Sequence, residues 1–232
     1  MHSVMVDTSH AAEQARSARR EGGGPRLDEL LAAAARCFVE DGYERTTAAT
    51  ITARAQTSRP TFYAYFASKD EVFQTLTARV CGALSDAQMV VDVDAVSPRD
   101  VLAATTRAFA RAVYANAPLL ALIEHRAGVD PVVAREWEAV RTRTRRRFAR
   151  FLERLDAAGA IDPCVPAARI VDTLSDALTI GAARLARASA AERERFIDDH
   201  IVITERLVGV STGPAPAGEH DRAPRGPEER YK

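Results

Sequence analysis

The chain has 232 residues, of which 47% are hydrophobic and 6% aromatic, so it is long enough for one sizeable core or for two smaller units that share a boundary. Lysine plus arginine and aspartate plus glutamate each number 32, so the bulk charge indicates neither a nucleic acid nor a membrane as partner, and any basic surface must be local. The three cysteines are widely spaced without a Cys-x-x-Cys pair, which argues against a disulfide framework and against a zinc site.

The two ends of the chain are polar and rich in residues that disfavour regular structure. Residues 1–24 end in three consecutive glycines, and residues 211–232 combine four prolines with glycines and charges. These compositions predict a disordered N-terminal arm and a disordered C-terminal tail. The segment between them is rich in alanine, leucine and arginine, which favour helix because their side chains lose little rotamer freedom in it.

Residues that start and stop helices divide the segment after the arm into four predicted helices. Pro25 suits a first helical turn, and Gly42 can end that helix in a left-handed conformation. Thr47 and Ser58 precede two short segments as N-caps, and Ser68 begins a capping box. The predicted helices span residues 25–42, 48–55, 59–66 and 68–84.

The remainder of the chain shows the same kind of signals. Prolines or capping serines stand at the start of five further segments, which we predict as helices over residues 97–116, 118–127, 130–158, 166–187 and 189–208. The total is about nine helices with no convincing strand. The sequence therefore predicts an all-α fold.

The two short helices are separated by only three residues, 56–58. Two short helices joined by such a turn make a helix-turn-helix, whose second helix fits the major groove of DNA. Residues 44–69 carry four cations against one anion, so a neutral protein has a local basic patch here. We therefore interpret residues 25–72 as a three-helix DNA-binding domain and residues 73–210 as a larger helical domain.

Two segments of this region resemble the signature of the TetR family of transcriptional regulators. Residues 38–43 read FVEDGY and are followed by Thr46 and Thr47, and residues 61–66 read TFYAYF and are followed by Ser68 and Lys69. In that family the first helix ends in Phe-x-x-x-Gly-Tyr before two threonines, and the third reads Thr-x-Tyr-x-aromatic-Phe before Ser-Lys. The resemblance covers roughly residues 27–76. It implies an all-helical homodimer whose C-terminal domain binds a ligand.

The resemblance also implies roles for single residues in DNA binding. Arg59 begins the recognition helix and is the candidate for base readout, because a guanidinium can chelate O6 and N7 of guanine. Side chains near it resemble contacts that position the helix on phosphates. The residues expected to contact DNA are Thr47, Ser58, Arg59, Pro60, Thr61, Tyr63, Tyr65 and Lys69.

The sequence departs from the family pattern in the turn and in the helix before it. Thr52 and Gln56 stand where small residues are usual, and Thr57 stands where valine is usual. Gln56 implies either a different turn or a left-handed residue at some cost in energy. Phe62 and Phe66 share one helix face, which favours a place in the core over a contact with DNA.

For the C-terminal domain the resemblance implies a dimer interface built from the last two long helices. Apolar stripes there favour this role, with ordinary intramolecular core as the alternative. The expected interface residues are Ile170, Leu174, Leu178, Gly181, Leu185, Phe196, Ile203 and Leu207. A mostly apolar cavity for a small-molecule effector is expected between the middle helices, again with plain core as the alternative. Its expected lining is Phe109, Tyr114, Ile123, Glu124, His125, Trp137, Phe148 and Phe151.

One arginine-rich segment offers a second basic feature. Residues 141–147 read RTRTRRR, which suggests either a second DNA site or a solvated helix surface. Its cations go around the helix rather than along one face, which favours the solvated surface.

Other function classes lack support in the sequence. The histidines do not fall at spacings typical of a metal or nucleophile site, and no glycine-rich phosphate loop is present. The first twenty residues contain no apolar secretory segment, and no later segment is long enough to span a bilayer. We therefore expect a cytoplasmic protein that is not an enzyme, needs no metal or cofactor and does not bind membranes.

The resulting hypothesis is a repressor that leaves a near-palindromic DNA operator when a small, hydrophobic ligand binds its C-terminal domain. The helix over residues 68–84 joins the two domains and would change the separation of the two recognition helices. A transcriptional activator of the same fold, or a helical ligand-binding protein with impaired DNA binding, are the alternatives.

Overall fold

The computed structural model describes residues 2–87 and 97–210, with side chains from residue 10 onwards. Its described residues form nine helices and one isolated antiparallel bridge between Ile161 and Val210, which confirms the predicted all-α fold. The predicted tail over residues 211–232 lies outside these ranges. The helices are α1 (His2–Glu21), α2 (Pro25–Asp41), α3 (Ala48–Arg54), α4 (Arg59–Tyr65), α5 (Lys69–Asp86), α6 (Pro98–Ala127), α7 (Pro131–Ala157), α8 (Ala167–Leu185) and α9 (Ala190–Val208).

The N-terminal segment corrects the expectation of a disordered arm over residues 1–24. His2–Glu21 is helical, and only the three glycines after it are irregular. Alanines along this segment favour helix, and Gly23 takes a φ of 65°, which a glycine adopts without steric cost. Contacts of this helix with α4 supply the stabilisation that a short isolated helix lacks in water.

A second correction concerns the helices predicted over residues 97–116 and 118–127. The structure joins them into α6, which continues through Pro118. Proline removes one backbone hydrogen bond from a helix interior. The buried stripe of Val113, Ala117, Leu120 and Ile123 keeps helical spacing across this point, so packing holds both halves in one helix. The predicted and observed numbers of helices agree only because α1 was not predicted, while two predicted helices form the single helix α6.

One continuous core joins the N-terminal helices to the larger domain. Phe62 of α4 and Phe66, the residue directly after this helix, are fully buried in it, as the sequence predicts. The same core reaches Leu120 of α6 and Trp137 of α7. Helix α5 lies between these groups and contacts α2, α6 and α7. The DNA-binding region is therefore packed onto the C-terminal helices rather than tethered to them.

The end of α9 lies against the segment that follows α7. Gly209 ends α9 in the left-handed conformation, with a φ of 61°. The amide of Asp162 donates to the carbonyls of Val208 and Gly209, at 3.2 and 3.1 Å. A Cβ at Gly209 would meet the backbone of Asp162, which cannot rotate away as a side chain could.

We predict that Gly209→Ala lowers the free energy of unfolding by about 2 kcal/mol, because it combines left-handed strain with a backbone clash. Urea denaturation followed by circular dichroism measures the change. Gly82→Ala is the control, since no described atom lies within 4 Å of its Cβ position on α5. It should raise stability by about 0.5–1 kcal/mol through helix propensity. Equal stabilities for the two variants would contradict the close approach at Gly209.

Candidate nucleic-acid interface and ligand cavity

Helices α3 and α4 form the helix-turn-helix, and both begin at the predicted caps. The Oγ1 of Thr47 accepts a hydrogen bond from the amide of Thr50 at 3.2 Å. The Oγ of Ser58 accepts from the amide of Thr61 at 3.2 Å. Each cap satisfies a backbone donor that the helix itself leaves free. The sequence therefore sets the start of both helices locally.

The turn between these helices contains the left-handed residue that the sequence offered as one alternative. Gln56 has a φ of 50°, a region that side-chain-bearing residues seldom occupy. The amide of Thr57 donates to the carbonyl of Thr52 at 3.0 Å and closes the turn. Glycine would remove the strain at Gln56, so here the family's usual residue and the local geometry agree.

The start of α4 presents an open cationic side chain. Arg59 and Pro60 are exposed, and Arg59 forms no hydrogen bond or ion pair with the described part of the chain. Arg54 instead pairs with Glu40 at 2.5 Å. The Nε of Arg45 donates to a backbone carbonyl at 2.6 Å. Arg59 is therefore the cation of the basic patch best placed to meet a partner.

The aromatic and lysine positions predicted to contact phosphates differ in exposure. Tyr63 is 52% exposed, whereas Tyr65 is half-buried against the core. The Nζ of Lys69 donates to the carbonyls of Tyr43 and Glu44, at 2.9 and 3.3 Å. An ammonium has three donors, so a phosphate contact by Lys69 would use the one that remains. Within this set, Tyr63 is the most accessible.

Helix α1 holds the C-terminal end of the recognition helix. Arg19 donates to the carbonyl of Ala64 and Arg20 to the carbonyl of Tyr65, each at 2.7 Å. Both carbonyls belong to the last turn of α4, where no backbone donor of the helix reaches them. Arg20 also forms an ion pair with Glu71 of α5. These two arginines fix α4 relative to α1 and α5.

A cluster around Tyr43 joins the DNA-binding region to α6. The ring of Tyr43 stacks on Phe38 at 5.5 Å and meets the edge of Phe73 at 5.2 Å. The guanidinium of Arg126, from the last turn of α6, lies 4.0 Å from the centre of the ring, and Lys69 lies at 4.6 Å. Cations so placed are attracted by the negative face of the ring. We call these five residues the Tyr43 junction.

Ion pairs extend this junction on both sides. Arg126 pairs with Glu44 at 3.3 Å and with Asp130 at 3.1 Å, and its side chain is only 17% exposed. The hydroxyl of Tyr43 donates to Asp70 at the start of α5. Hydrogen bonds to Asp130 from two backbone amides and from Arg126 hold the pKa of its carboxyl below the usual value. The guanidinium of Arg126 thus joins Glu44 and Asp130, each through a different nitrogen.

A cavity of about 180 Å³ lies between α5, α6, α7 and α8. We call it the outer cavity. Three residues predicted to line a ligand site, Phe109, Glu124 and Trp137, do line it. Apolar surface also comes from Leu84, Val140 and Ile180. Glu124 forms no ion pair with the described part of the chain, so its carboxylate is free at the cavity.

The other residues predicted to contact a ligand lie apart from the outer cavity. Ile123 is fully buried in the core, and His125 is exposed. The hydroxyl of Tyr114 donates to a backbone carbonyl of α9 at 3.3 Å. Phe148 and Phe151 stack on each other at 6.3 Å. Ile123 therefore packs as an ordinary core residue, which was the alternative to a ligand contact.

The arginine-rich segment of α7 pairs with acidic residues of α8. Arg141 and Arg145 both contact the carboxylate of Asp176, the former at 3.2 Å, and Arg145 also reaches Asp172 at 3.4 Å. These two arginines and Asp176 form part of the outer cavity wall. The pairing links α7 to α8 and does not favour a second DNA site.

Half of the residues predicted for a dimer interface face the interior of the chain itself. Ile170, Leu174 and Leu178 are buried in its own core, where a partner chain cannot reach them. Gly181 is also buried, and the ring of Phe196 occupies the space that a side chain at Gly181 would need. These four positions are therefore corrected to intramolecular core. The stripe spacing is the same for both roles, so the sequence alone did not separate them.

The outer faces of α8 and α9 nevertheless present apolar side chains. Ile203, one of the predicted interface residues, is 51% exposed. Leu185 and Leu207 are half-buried. Ile180 and Val202, which are not among the predicted interface residues, are 65% and 54% exposed. Exposed large aliphatic side chains on neighbouring helices are typical of a surface that another chain covers.

Taken together, the fold and the site define a class: a helical protein that carries an exposed helix-turn-helix on a larger helical domain enclosing a cavity. Residues 30–76 match the sequence profile described as "bacterial regulatory proteins, tetR family". The N-terminal region therefore resembles the helix-turn-helix domain of that family, and the chain has a TetR-like fold. In the described ranges, no helix is long and apolar enough to cross a membrane.

Solved structures of this fold cover most of the chain. A tetR-family regulatory protein from Rhodococcus RHA1 is 19% identical, with a TM-score of 0.65 over 81% of this chain and 99% of that one. A TetR-like transcriptional regulator from Rhodococcus sp. RHA1 is 24% identical, with a TM-score of 0.62 over 79% and 93%. Salmonella enterica GusR is 21% identical, with a TM-score of 0.63 over 79% and 95%. A sequence comparison with curated proteins finds no match.

We predict that Arg20→Met loosens α1 from α4, because it removes a charge-assisted hydrogen bond and an ion pair while keeping the aliphatic stem. Amide hydrogen exchange over residues 10–21 should accelerate about tenfold. Arg26→Met is the matched control, since Arg26 is exposed and pairs only with nearby Glu29. Unchanged exchange in Arg20→Met would contradict a stabilising role for the contact.

Proposed function

We propose that the chain is a homodimeric, sequence-specific DNA-binding regulator, most simply a repressor, that a small molecule releases from its operator. The observation that carries the proposal is Arg59, which is exposed and unpaired within the described chain at the first turn of the recognition helix. An uncommitted guanidinium at this place suits chelation of guanine in the major groove.

The surroundings of Arg59 support backbone contacts that would position it. Tyr63 is exposed one turn further along α4, and the capping residues Thr47 and Ser58 are also exposed. Hydroxyl groups and amides at such helix starts are suited to phosphate oxygens. Pro60 and Thr61 lie beside Arg59 and would touch the backbone or a thymine methyl. The affinity would then be shared between phosphate contacts and one principal base contact.

Dimer formation is proposed through the outer faces of α8 and α9. Ile180, Val202 and Ile203 are the exposed aliphatic residues of these helices. A single helix-turn-helix reads few base pairs, whereas a two-fold dimer reads two half-sites about one DNA turn apart. This revises the predicted interface, because Ile203 is the one exposed residue that the two sets share.

The effector is proposed to bind in the outer cavity and to act through α6. Phe109 and Glu124 of α6 line that cavity, and Arg126 follows Glu124 by two residues at the Tyr43 junction. A shift of this helix end would change how Arg126 meets Tyr43 and hence the placement of the DNA-binding domain. Helix α5, which also contributes Leu84 to the cavity, provides a parallel connection. A coupling of about 1–3 kcal/mol would suffice for release.

We predict that Arg59→Ala weakens binding to a selected DNA duplex by about 5–150-fold and relaxes preference at one base pair of each half-site, because the loss of a bidentate contact costs about 1–3 kcal/mol. The duplex is obtained by selection from random sequences, and fluorescence anisotropy at several salt concentrations measures affinity. Arg150→Ala, at an exposed site on α7, is the charge-matched control. Binding that is weak for every sequence in the wild type would overturn the proposal.

We predict that Arg126→Met reduces the effect of an effector on DNA affinity by about 3–10-fold, because it removes the cation that joins α6 to Tyr43. The measurement compares operator affinity with and without a compound chosen for its release of the selected duplex from the wild type. Arg135→Met, exposed on α7, is the control. Full release in Arg126→Met would mean that the coupling runs through α5 alone.

A further inference from the structure

A second cavity of about 30 Å³ lies in the C-terminal domain, next to the outer cavity. We call it the inner cavity. Phe109 and Ser175 line both cavities, so these two residues form a common wall. The inner cavity is otherwise lined by Thr105, Thr106, Phe148, Leu174, Leu178, His200 and Thr204.

Two hydrogen-bonding side chains of this lining belong to buried residues and have no partner in the described part of the chain. Thr106 and His200 are only 6% and 5% exposed. The Thr204 hydroxyl donates to the carbonyl of His200 at 2.8 Å, but neither the Thr106 hydroxyl nor the His200 ring has a hydrogen-bond partner in the described part of the chain. Such groups at a cavity indicate an occupant that hydrogen-bonds to them.

The same lining restricts the charge of that occupant. None of the residues around the inner cavity is an aspartate, glutamate, lysine or arginine. Burial lowers the pKa of His200, so its imidazole is neutral at pH 7 and offers one donor and one acceptor. An ionised group would lose its hydration here without gaining a counter-charge. A neutral polar group loses less hydration free energy, and it can hydrogen-bond to the donor and the acceptors of this lining.

The volume restricts the size of the occupant. About 30 Å³ is sufficient for one water or for a single hydroxyl, carbonyl or amide group. The outer cavity is larger, and its wall combines aromatic and aliphatic side chains such as Phe109 and Trp137 with the charged groups of Glu124, Arg141, Arg145 and Asp176. The two cavities together therefore match a molecule with an apolar body and one small polar end.

We propose that the inner cavity is the head-group subsite of the effector site, where Thr106 and His200 hydrogen-bond an uncharged polar group of an amphipathic ligand. This assignment rests on the proposed function, in which the outer cavity takes the effector. The apolar body lies against Phe109 and Trp137, and the polar end passes Phe109 to reach His200. Fatty alcohols, ketones and amides suit the uncharged inner cavity, whereas the ionised head group of the corresponding acid or amine would stay with the charged residues of the outer cavity wall.

The only tryptophan of the chain provides the readout, because Trp137 lines the outer cavity. The full-length protein is titrated at pH 8 with 1-octanol, octanoate and n-octylamine, which share one alkyl chain and differ in head-group charge. We expect 1-octanol to bind at least about tenfold more tightly than either ion. Thr106→Val and His200→Leu should each weaken 1-octanol about 3–10-fold, while octanoate changes little.

Two further variants separate hydrogen bonding from disturbance of the fold. His200→Gln keeps a donor and an acceptor and should recover most of the affinity for 1-octanol. Thr173→Val makes the same chemical change as Thr106→Val at an exposed site on α8, and it should bind like the wild type. Circular dichroism confirms that each variant is folded.

The outcomes that overturn the inference are distinct from those that overturn the proposed function. Equal affinity for the three probes, no binding of 1-octanol, or unchanged binding by Thr106→Val and His200→Leu would mean that the inner cavity holds water only. Selective binding of 1-octanol by a chain that discriminates no DNA sequence would support the subsite and overturn the regulator. The DNA assay contains no probe, so the two results are independent.

Discussion

The ring of Tyr43 is the point on which the arrangement of the two domains depends. It packs against Phe38 and Phe73, which belong to the core of the DNA-binding domain. The guanidinium of Arg126, which comes from the far end of α6, lies 4.0 Å from the centre of the same ring. Because this cation is largely shielded from water, its attraction to the ring is less screened than at an exposed site. The helix-turn-helix is thereby oriented by Arg126, which is remote in sequence: it lies 82 positions beyond Glu44, its ion-pair partner.

The same junction explains how one helix can serve two sites. Helix α6 contributes Phe109 and Glu124 to the outer cavity and ends at Arg126. Its buried stripe continues through Pro118, so the helix can transmit a displacement along its length instead of absorbing it in a loop. Packed cores respond to such shifts by changing between discrete arrangements, since they do not deform continuously. This supports the proposed coupling between ligand and DNA.

Helix α1 adds a constraint from the opposite end of the domain. Arg19 and Arg20 donate hydrogen bonds to the carbonyls at the end of α4, and Ser58 caps the start of that helix. A helix of seven residues has little stability of its own, because most of its backbone groups belong to its ends. Contacts at both ends and the burial of Phe62 compensate for this shortness. The recognition helix is thus held by its surroundings while Arg59 stays free.

The sequence by itself determined the local features of this protein. Caps such as Thr47 and Ser58, the buried pair Phe62 and Phe66, and the helix-turn-helix spacing depend on neighbours within a few residues, so they can be predicted from pattern. The signature around Phe38 and Thr61 likewise identifies the type of domain, because its residues lie close together in the chain.

Only the tertiary structure decided which side of each apolar stripe faces the protein's own core. Leu174 and Leu178 lie inward and Ile203 outward, although the apolar spacing selected all three for the same interface. The tertiary structure also decided that α1 is an ordered helix. It decided the roles of Arg20 and Arg126 as well, because the partners of these two arginines are remote in sequence. Periodicity specifies that a face is buried, but not what covers it, and contacts between distant residues leave no local pattern.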